Sequence, residues 1–125
     1  MDMTMHPSHL PRPVMPKVPP QRLLLGQKAL VTGASSGIGR AIALALGEAG
    51  ADVIVNYVAG EDKAEQVCRE IRGMGVQAHA VRADVSDEAQ VQQMFARMLE
   101  LYGTIDVLVN NAGLQQDAAF ENLTL

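Results

Sequence analysis

The stretch "LVTGASSGIGRAIALAL", residues 30–46, decides how this chain is read. It passes from apolar residues, through small ones and glycines, into strong helix formers. A strand, a loop with almost no side chains and a helix follow one another without interruption.

The glycines stand as Gly33-x-x-x-Gly37-x-Gly39, between the apolar run and the helix. Backbone N–H groups and a helix N-terminus placed there can face an anion. In that setting Gly33 permits a sharp turn, Gly37 lets a pyrophosphate approach the backbone, and Gly39 allows tight helix–strand packing. The side chains are absent so that a dinucleotide can lie on the main chain. A phosphate-binding P-loop needs Gly-Lys-[Ser/Thr] after a four-residue gap. Five residues beyond Gly33 stands Ile38, which excludes it. A tight turn with no ligand is the bland alternative.

Outward from this loop, strand and helix signals alternate. Lys28–Thr32 reads as a buried strand, and Ile38, Ile42, Ala45, Leu46 and Ala49 recur at helical spacing before Gly50 stops the helix. Val53–Asn56 is a second strand. Ala64, Val67, Cys68 and Ile71 form a second helical stripe, opened by Glu61 and Asp62, where acids suit the helix dipole, and closed by Gly73 and Gly75. Val76–Arg82 fits a third strand nearer the sheet edge. Ser86 reads as an N-cap, and Val91, Met94, Phe95, Met98 and Leu101 form a third helix face that ends at Gly103. Ile105–Asn110, "IDVLVN", is a fourth strand. Such alternation predicts an α/β fold with helices on both faces of a doubly wound parallel sheet, the Rossmann fold. The order 3-2-1-4-5-6 of such sheets needs more strands than the four counted, so the fold is expected to be truncated after the fourth, leaving that strand as an exposed apolar edge.

All six prolines and four of the seven methionines fall in the first twenty residues. Residues 1–24 therefore read as a disordered or extended tail, and residues 25–125 as the N-terminal part of one nucleotide-binding domain. The chain has 125 residues, 48% hydrophobic and 19% charged, with a formal net charge of −4. The tail holds Arg12, Lys17 and Arg22 against Asp2, which leaves seven basic and thirteen acidic residues in the body. An acidic body argues against a nucleic-acid partner. Cys68 is the single cysteine, which rules out an internal disulfide and suits a reducing compartment. No apolar run approaches the ~20 residues of a membrane span, and the N-terminus lacks the apolar core of a secretory signal. The expectation is a soluble, cytoplasmic protein with no membrane partner. His6 and His9 read as solvated, Cys68 as a packed thiol and His79 as structural, so no metal site is expected. Asn122 opens a glycosylation sequon that carries little weight without a signal peptide.

"TGASSGIG", Thr32–Gly39, resembles the cofactor loop of the short-chain dehydrogenase/reductase superfamily. "ADV", Ala83–Val85, and "NNAG", Asn110–Gly113, agree with two further motifs of that superfamily in kind and spacing. Within it, "VNY" at Val55–Tyr57 and the run "NNAGLQQDAAFENLTL" look most like bacterial glucose 1-dehydrogenases and 3-oxoacyl-carrier-protein reductases. The resemblance implies an NAD(P)-dependent oxidoreductase that moves hydride between a nicotinamide and a carbonyl or alcohol. It implies that Thr32, Gly33, Ser35, Ser36, Gly37, Ile38 and Gly39 hold the pyrophosphate and adenosine ribose, with Ile38 under the nicotinamide side. Asp84 and Val85, after Ala83, would meet the adenine. Asn110 would tie neighbouring strands, and Asn111, Ala112 and Gly113 would line the ribose. A homodimer or homotetramer acting on a small molecule is implied for the whole protein.

Cofactor choice is read at the end of the second strand, where an acid favours NAD by bonding the ribose 2′-OH. Asn56, Tyr57 and Val58 stand there, with no acid to repel a 2′-phosphate. Arginines frequent in the family are replaced by Ser36 and Val58, so Asn56, Ser35 and Arg40 are the expected hydrogen-bond partners. The expectation is NADP rather than NAD, with dual use open.

The resemblance also implies a catalytic serine and a Tyr-x-x-x-Lys pair, whose lysine tunes a phenol of ordinary pKa about 10. Four residues after Tyr57 stands Glu61, and four after Tyr102 stands Asp106. The four serines belong to the tail, the loop or a cap. No catalytic residue is therefore assigned. The chain reads as the cofactor-holding half of such an enzyme, inactive by itself. The rivals are a non-catalytic NAD(P)- or partner-binding module and a non-functional truncated product.

Overall fold

The computed structural model describes residues 22–112. Most of the expected tail, with His6 and His9, lies outside the described residues, as do Gly113, the sequon and the rest of the segment to Leu125. Seven elements alternate: β1 (Lys28–Val31), α1 (Gly37–Glu48), β2 (Asp52–Tyr57), α2 (Glu61–Arg72), β3 (Ala78–Arg82), α3 (Glu88–Tyr102) and β4 (Val107–Val109). The strands pair in parallel in the order β3-β2-β1-β4. Four strands and three helices thus form the expected α/β Rossmann-type sheet as far as its fourth strand.

Alternate strand residues supply two cores, because successive side chains point to opposite faces. Ala29, Val31, Val53 and Val55 meet Ala43 of α1 and Ala64, Val67, Cys68 and Ile71 of α2 on one face. Leu30 and Ile54 meet Met94 and Met98 of α3 on the other. Leu24, at the end of the expected tail, already packs on the first core and donates its N–H to the Ala49 carbonyl at 2.8 Å. β1, β3 and β4 are shorter by one or two residues at one or both ends than the sequence expectation, and β2 is one residue longer at each end. The register sets Leu30 beside Leu108, yet Leu30 is fully buried and Leu108 is 53% exposed. The cover of α3 stops before it reaches β4, which with β3 is one of the two edge strands among the described residues.

One expected cap is corrected. Asp87, not Ser86, caps α3: its carboxylate accepts the N–H groups of Ala89 and Gln90 at 2.9 and 3.3 Å. Ser86 is drawn off by Asp84, whose Oδ1 accepts both the Ser86 hydroxyl (2.6 Å) and its N–H (2.9 Å). The charge-assisted bond that the hydroxyl donates turns the Ser86 side chain back toward Asp84 and away from the helix start.

At the amino end of the sheet Asp52 joins three strands. Its carboxylate pairs with Lys28 of β1 and accepts the Gln77 N–H just before β3 at 2.7 Å. Beside it, the Tyr102 hydroxyl donates to the Val53 carbonyl and meets His79 Nδ1, each at 3.1 Å. His79 is structural, as expected.

Candidate functional site

The strand order turns back at β1. The chain steps outward through β2 and β3, then crosses to lay β4 on the other side of β1. A crevice for ligands opens beyond the carboxyl ends of strands at such a switch point. Residues 32–36 and 110–112 meet there.

Thr32 fixes this meeting. Its N–H donates to the Val109 carbonyl at 3.0 Å, and its hydroxyl donates to Asn110 Oδ1 at 3.2 Å and accepts the Ala112 N–H at 3.0 Å. Asn110 thus helps tie β4 to β1 while staying exposed. Asn111, expected at the ribose, is 1% exposed and donates Nδ2 to the Gly33 carbonyl at 3.1 Å. Its Oδ1 is buried with no hydrogen-bond partner among the described residues. Ala112 is buried beside it.

Asn56 supports the loop from below, and its expected role is corrected. Its side chain is fully buried rather than offered to a ligand. Oδ1 accepts the Gly33 N–H at 3.1 Å, and Nδ2 donates to the carbonyls of Val81 and Ala83 at 3.2 and 3.1 Å. The Asn56 carbonyl accepts the Ala34 N–H at 2.8 Å. Tyr57 is buried in the first core, where burial, helped by Glu61, pushes its phenol up from the usual range. Neither side chain reaches the crevice.

The two later glycines of the loop do different work. A Cβ on Gly39 would sit 2.1 Å from the Gly33 carbonyl oxygen and 2.5 Å from Asn111 Nδ2, so only glycine lets α1 start this close to its own loop. Gly37 has φ +61° and open space where a Cβ would point. That space lies over the first turn of α1. The N-cap Ser36 is extended and gives no side-chain hydrogen bond, and the first turn holds no acid. The leading N–H groups of α1 therefore lack a cap or a counter-charge, which fits an anion such as a pyrophosphate. Ile38 is 63% exposed on the same turn.

Two hollows flank the loop. One, of about 330 Å³, is lined by Ser35, Ser36, Gly37, Arg40, Lys63 and Gln66. The other, of about 140 Å³, lies between Thr32, Val85, Met94, Phe95, Leu108 and Asn110 and is mostly apolar. Asp84 follows β3 at half exposure, its carboxyl held below the usual range by the Ser86 hydroxyl and N–H. Ala83 is buried and donates its N–H to the Tyr57 carbonyl at 3.0 Å. Lys63 and Gln66 are the lining residues that the sequence reading passes over. Their signal is position alone, in the first two turns of the helix that follows the cofactor-choosing strand end. No group of three metal-ligating side chains occurs among the described residues, and no helix there is long and apolar enough to cross a membrane.

Comparison with known proteins agrees with this geometry. The chain is 48% identical over 93 residues to the 3-oxoacyl-[acyl-carrier-protein] reductase FabG of Staphylococcus epidermidis, matching 74% of this chain and 38% of the relative. It is 43% identical over 99 residues to the L-rhamnose 1-dehydrogenase (NAD(P)(+)) of a Sphingomonas species, matching 79% and 39%. A short chain dehydrogenase of Burkholderia cenocepacia, solved in complex with NADP, superposes with a TM-score of 0.69 at 42% identity, over 70% of this chain and 36% of that one. The chain thus spans less than two fifths of the length of these relatives. The family model described as short chain dehydrogenase matches residues 27–125. By its fold, its loop and these matches, the chain belongs to the short-chain dehydrogenase family of oxidoreductases.

Proposed function

We propose that this chain forms the dinucleotide-holding part of an NADP(H)-dependent reductase whose substrate is a 3-oxoacyl thioester. The observation that carries the reading is the uncapped, acid-free start of α1 beneath the open space at Gly37, at the switch point of the sheet. The names of the reductase relatives support the substrate class, and the sugar dehydrogenase among the relatives keeps a sugar such as glucose as the second reading.

In this reading Thr32–Gly39 hold the pyrophosphate and adenosine ribose, Asp84 and Val85 meet the adenine, and Asn110–Gly113 border the ribose. The Asp84 carboxylate keeps an oxygen for the exocyclic amine, and the Val85 N–H has no partner among the described residues. The bound nicotinamide supplies or accepts the hydride. These residues bind and orient, and the proton transfer is assigned to a Tyr-x-x-x-Lys pair, a spacing that does not occur in residues 1–125. The working protein is proposed to be a cytoplasmic homo-oligomer acting on a small molecule, with neither nucleic acid nor membrane as partner.

Titration of the purified chain with NADPH, followed by nucleotide fluorescence, tests the binding role. A saturable change with no NADPH oxidation on addition of a 3-oxoacyl thioester is expected. A cooperatively melting chain that shows no saturable change overturns the binding role, and turnover by the chain alone overturns its assignment as a non-catalytic half.

A further inference from the structure

The end of β2, where the family chooses between its two cofactors, carries no charged side chain of its own. Asn56 is buried with both side-chain polar atoms bonded to the main chain, Tyr57 is buried in the core, and Val58 is apolar. An acid there would favour the 2′-hydroxyl. None is present, and the cation bonded there, Arg82 of β3, spends its Nε on the Val58 carbonyl at 3.1 Å and does not line the hollow beside the glycine loop. The charge that selects the cofactor must come from another element.

The 330 Å³ hollow supplies it. Ser35 and Ser36 bring it to the loop proposed to hold the adenosine ribose, and Arg40 and Lys63 line it from two different helices. No acidic residue lines it. Arg40 is already oriented, because Glu70 accepts two bonds from its Nη2 at 3.0 and 2.9 Å. The remaining N–H groups of the guanidinium stay available. Lys63 is exposed and makes no ion pair or hydrogen bond among the described residues. Two hydroxyls, the Gln66 carboxamide, one fixed guanidinium and one uncommitted ammonium surround a space open to solvent. That set suits a phosphate monoester: a fork in fixed geometry and a mobile point charge.

Resting on the dinucleotide reading above, we propose that Lys63, with Arg40 and the Ser35 and Ser36 hydroxyls, takes the 2′-phosphate of NADP(H). Lys63 is thereby the residue that sets cofactor preference, from α2 rather than from the end of β2. The rest of the cofactor is common to NADH and NADPH, so a cation that meets the 2′-phosphate acts on one of them only.

Dissociation constants of NADPH and NADH are measured for the chain and for Lys63→Ala, Lys63→Arg and Lys63→Glu. Losing one charge-assisted contact weakens NADPH about tenfold in Lys63→Ala, while NADH stays within about twofold. Lys63→Arg keeps NADPH binding, and Lys63→Glu reverses the preference. Equal weakening of both cofactors overturns the proposal, because Lys63 then meets the shared pyrophosphate. No change in either overturns it as well. If the unaltered chain binds neither cofactor while melting cooperatively, the dinucleotide reading itself fails, an outcome distinct from the other two. Lys63 is exposed, so a thermal melt matching that of the unaltered chain confirms that each variant is folded.

Discussion

The Gly33 N–H donates to Asn56 Oδ1 across 3.1 Å, so a strand-end side chain fixes the first turn of the glycine loop. The same carboxamide donates to Val81 and Ala83, and so ties the exit of β3 to the loop after β1. Asn56→Asp, the replacement that a cofactor-specificity rule suggests, puts a carboxylate against two buried carbonyls. It is expected to cost about 3–5 kcal/mol, the scale of an uncompensated buried charge, and to leave the cofactor preference of the folded fraction unchanged. Denaturant unfolding and paired NADH and NADPH titrations check both halves.

Gly39→Ala and Gly37→Ala separate packing from binding. At Gly39 the new methyl meets the Gly33 carbonyl at 2.1 Å, and a loss of about 1–3 kcal/mol or more follows. At Gly37 the methyl meets nothing, and only the positive φ is strained, at about 1–2 kcal/mol. That variant is expected to stay folded and to lose nucleotide binding, because the methyl stands in the space over the helix start. Thermal melts with and without NADPH distinguish the two.

Acid stability is expected to depend on Asp52. Burial works to raise its pKa, but the Lys28 contact and the Gln77 N–H outweigh it, and the carboxyl lies below the usual range. A depressed folded pKa stabilises the fold above the unfolded value of about 4 and loses that contribution as pH falls through the folded one. Asp52→Asn is expected to lower stability near pH 7 by about 1–3 kcal/mol, the worth of hydrogen bonds to a charged group. It should also flatten the decline below about pH 4. Urea unfolding from pH 7 to pH 2 reads both effects.

Cys68 is expected to be inert in the native chain. Burial, helped by Glu65, pushes its thiol up to about 11, and the side chain is fully covered. Since the thiolate is the reactive form, labelling by a disulfide reagent at pH 8 should track unfolding rather than precede it. Labelling rates across a urea series check this.

The architecture was legible because helical and strand periodicity are local properties of the chain. The glycine loop was legible too, since its reasons lie within a few residues of Gly33. What side chains do over longer separations was not. Asn56 reads as a polar group at a ligand site until the backbone of Gly33 and Ala83 arrives from two other strands. Ser86 reads as the cap, and the structure gives that place to Asp87 because the Ser86 hydroxyl is turned back to Asp84. Lys63 reads as one more charge on an exposed helix, and only the packing of α2 against α1 sets it beside Arg40.

β2 is clasped at both ends. Asp52 holds its neighbours at the amino end, and Asn56 holds them at the carboxyl end, with only Val53, Ile54 and Val55 between. Tolerance to mutation should therefore be segmented along a single strand. The three aliphatic positions can exchange among Val, Ile and Leu at small cost, since such swaps conserve volume. The two polar ends cannot drift, because each answers to groups on both flanking sides, the Lys28 ammonium and the Gln77 N–H for Asp52 and main-chain groups alone for Asn56. A library randomised over this strand should return functional clones varied in the middle and fixed at the margins.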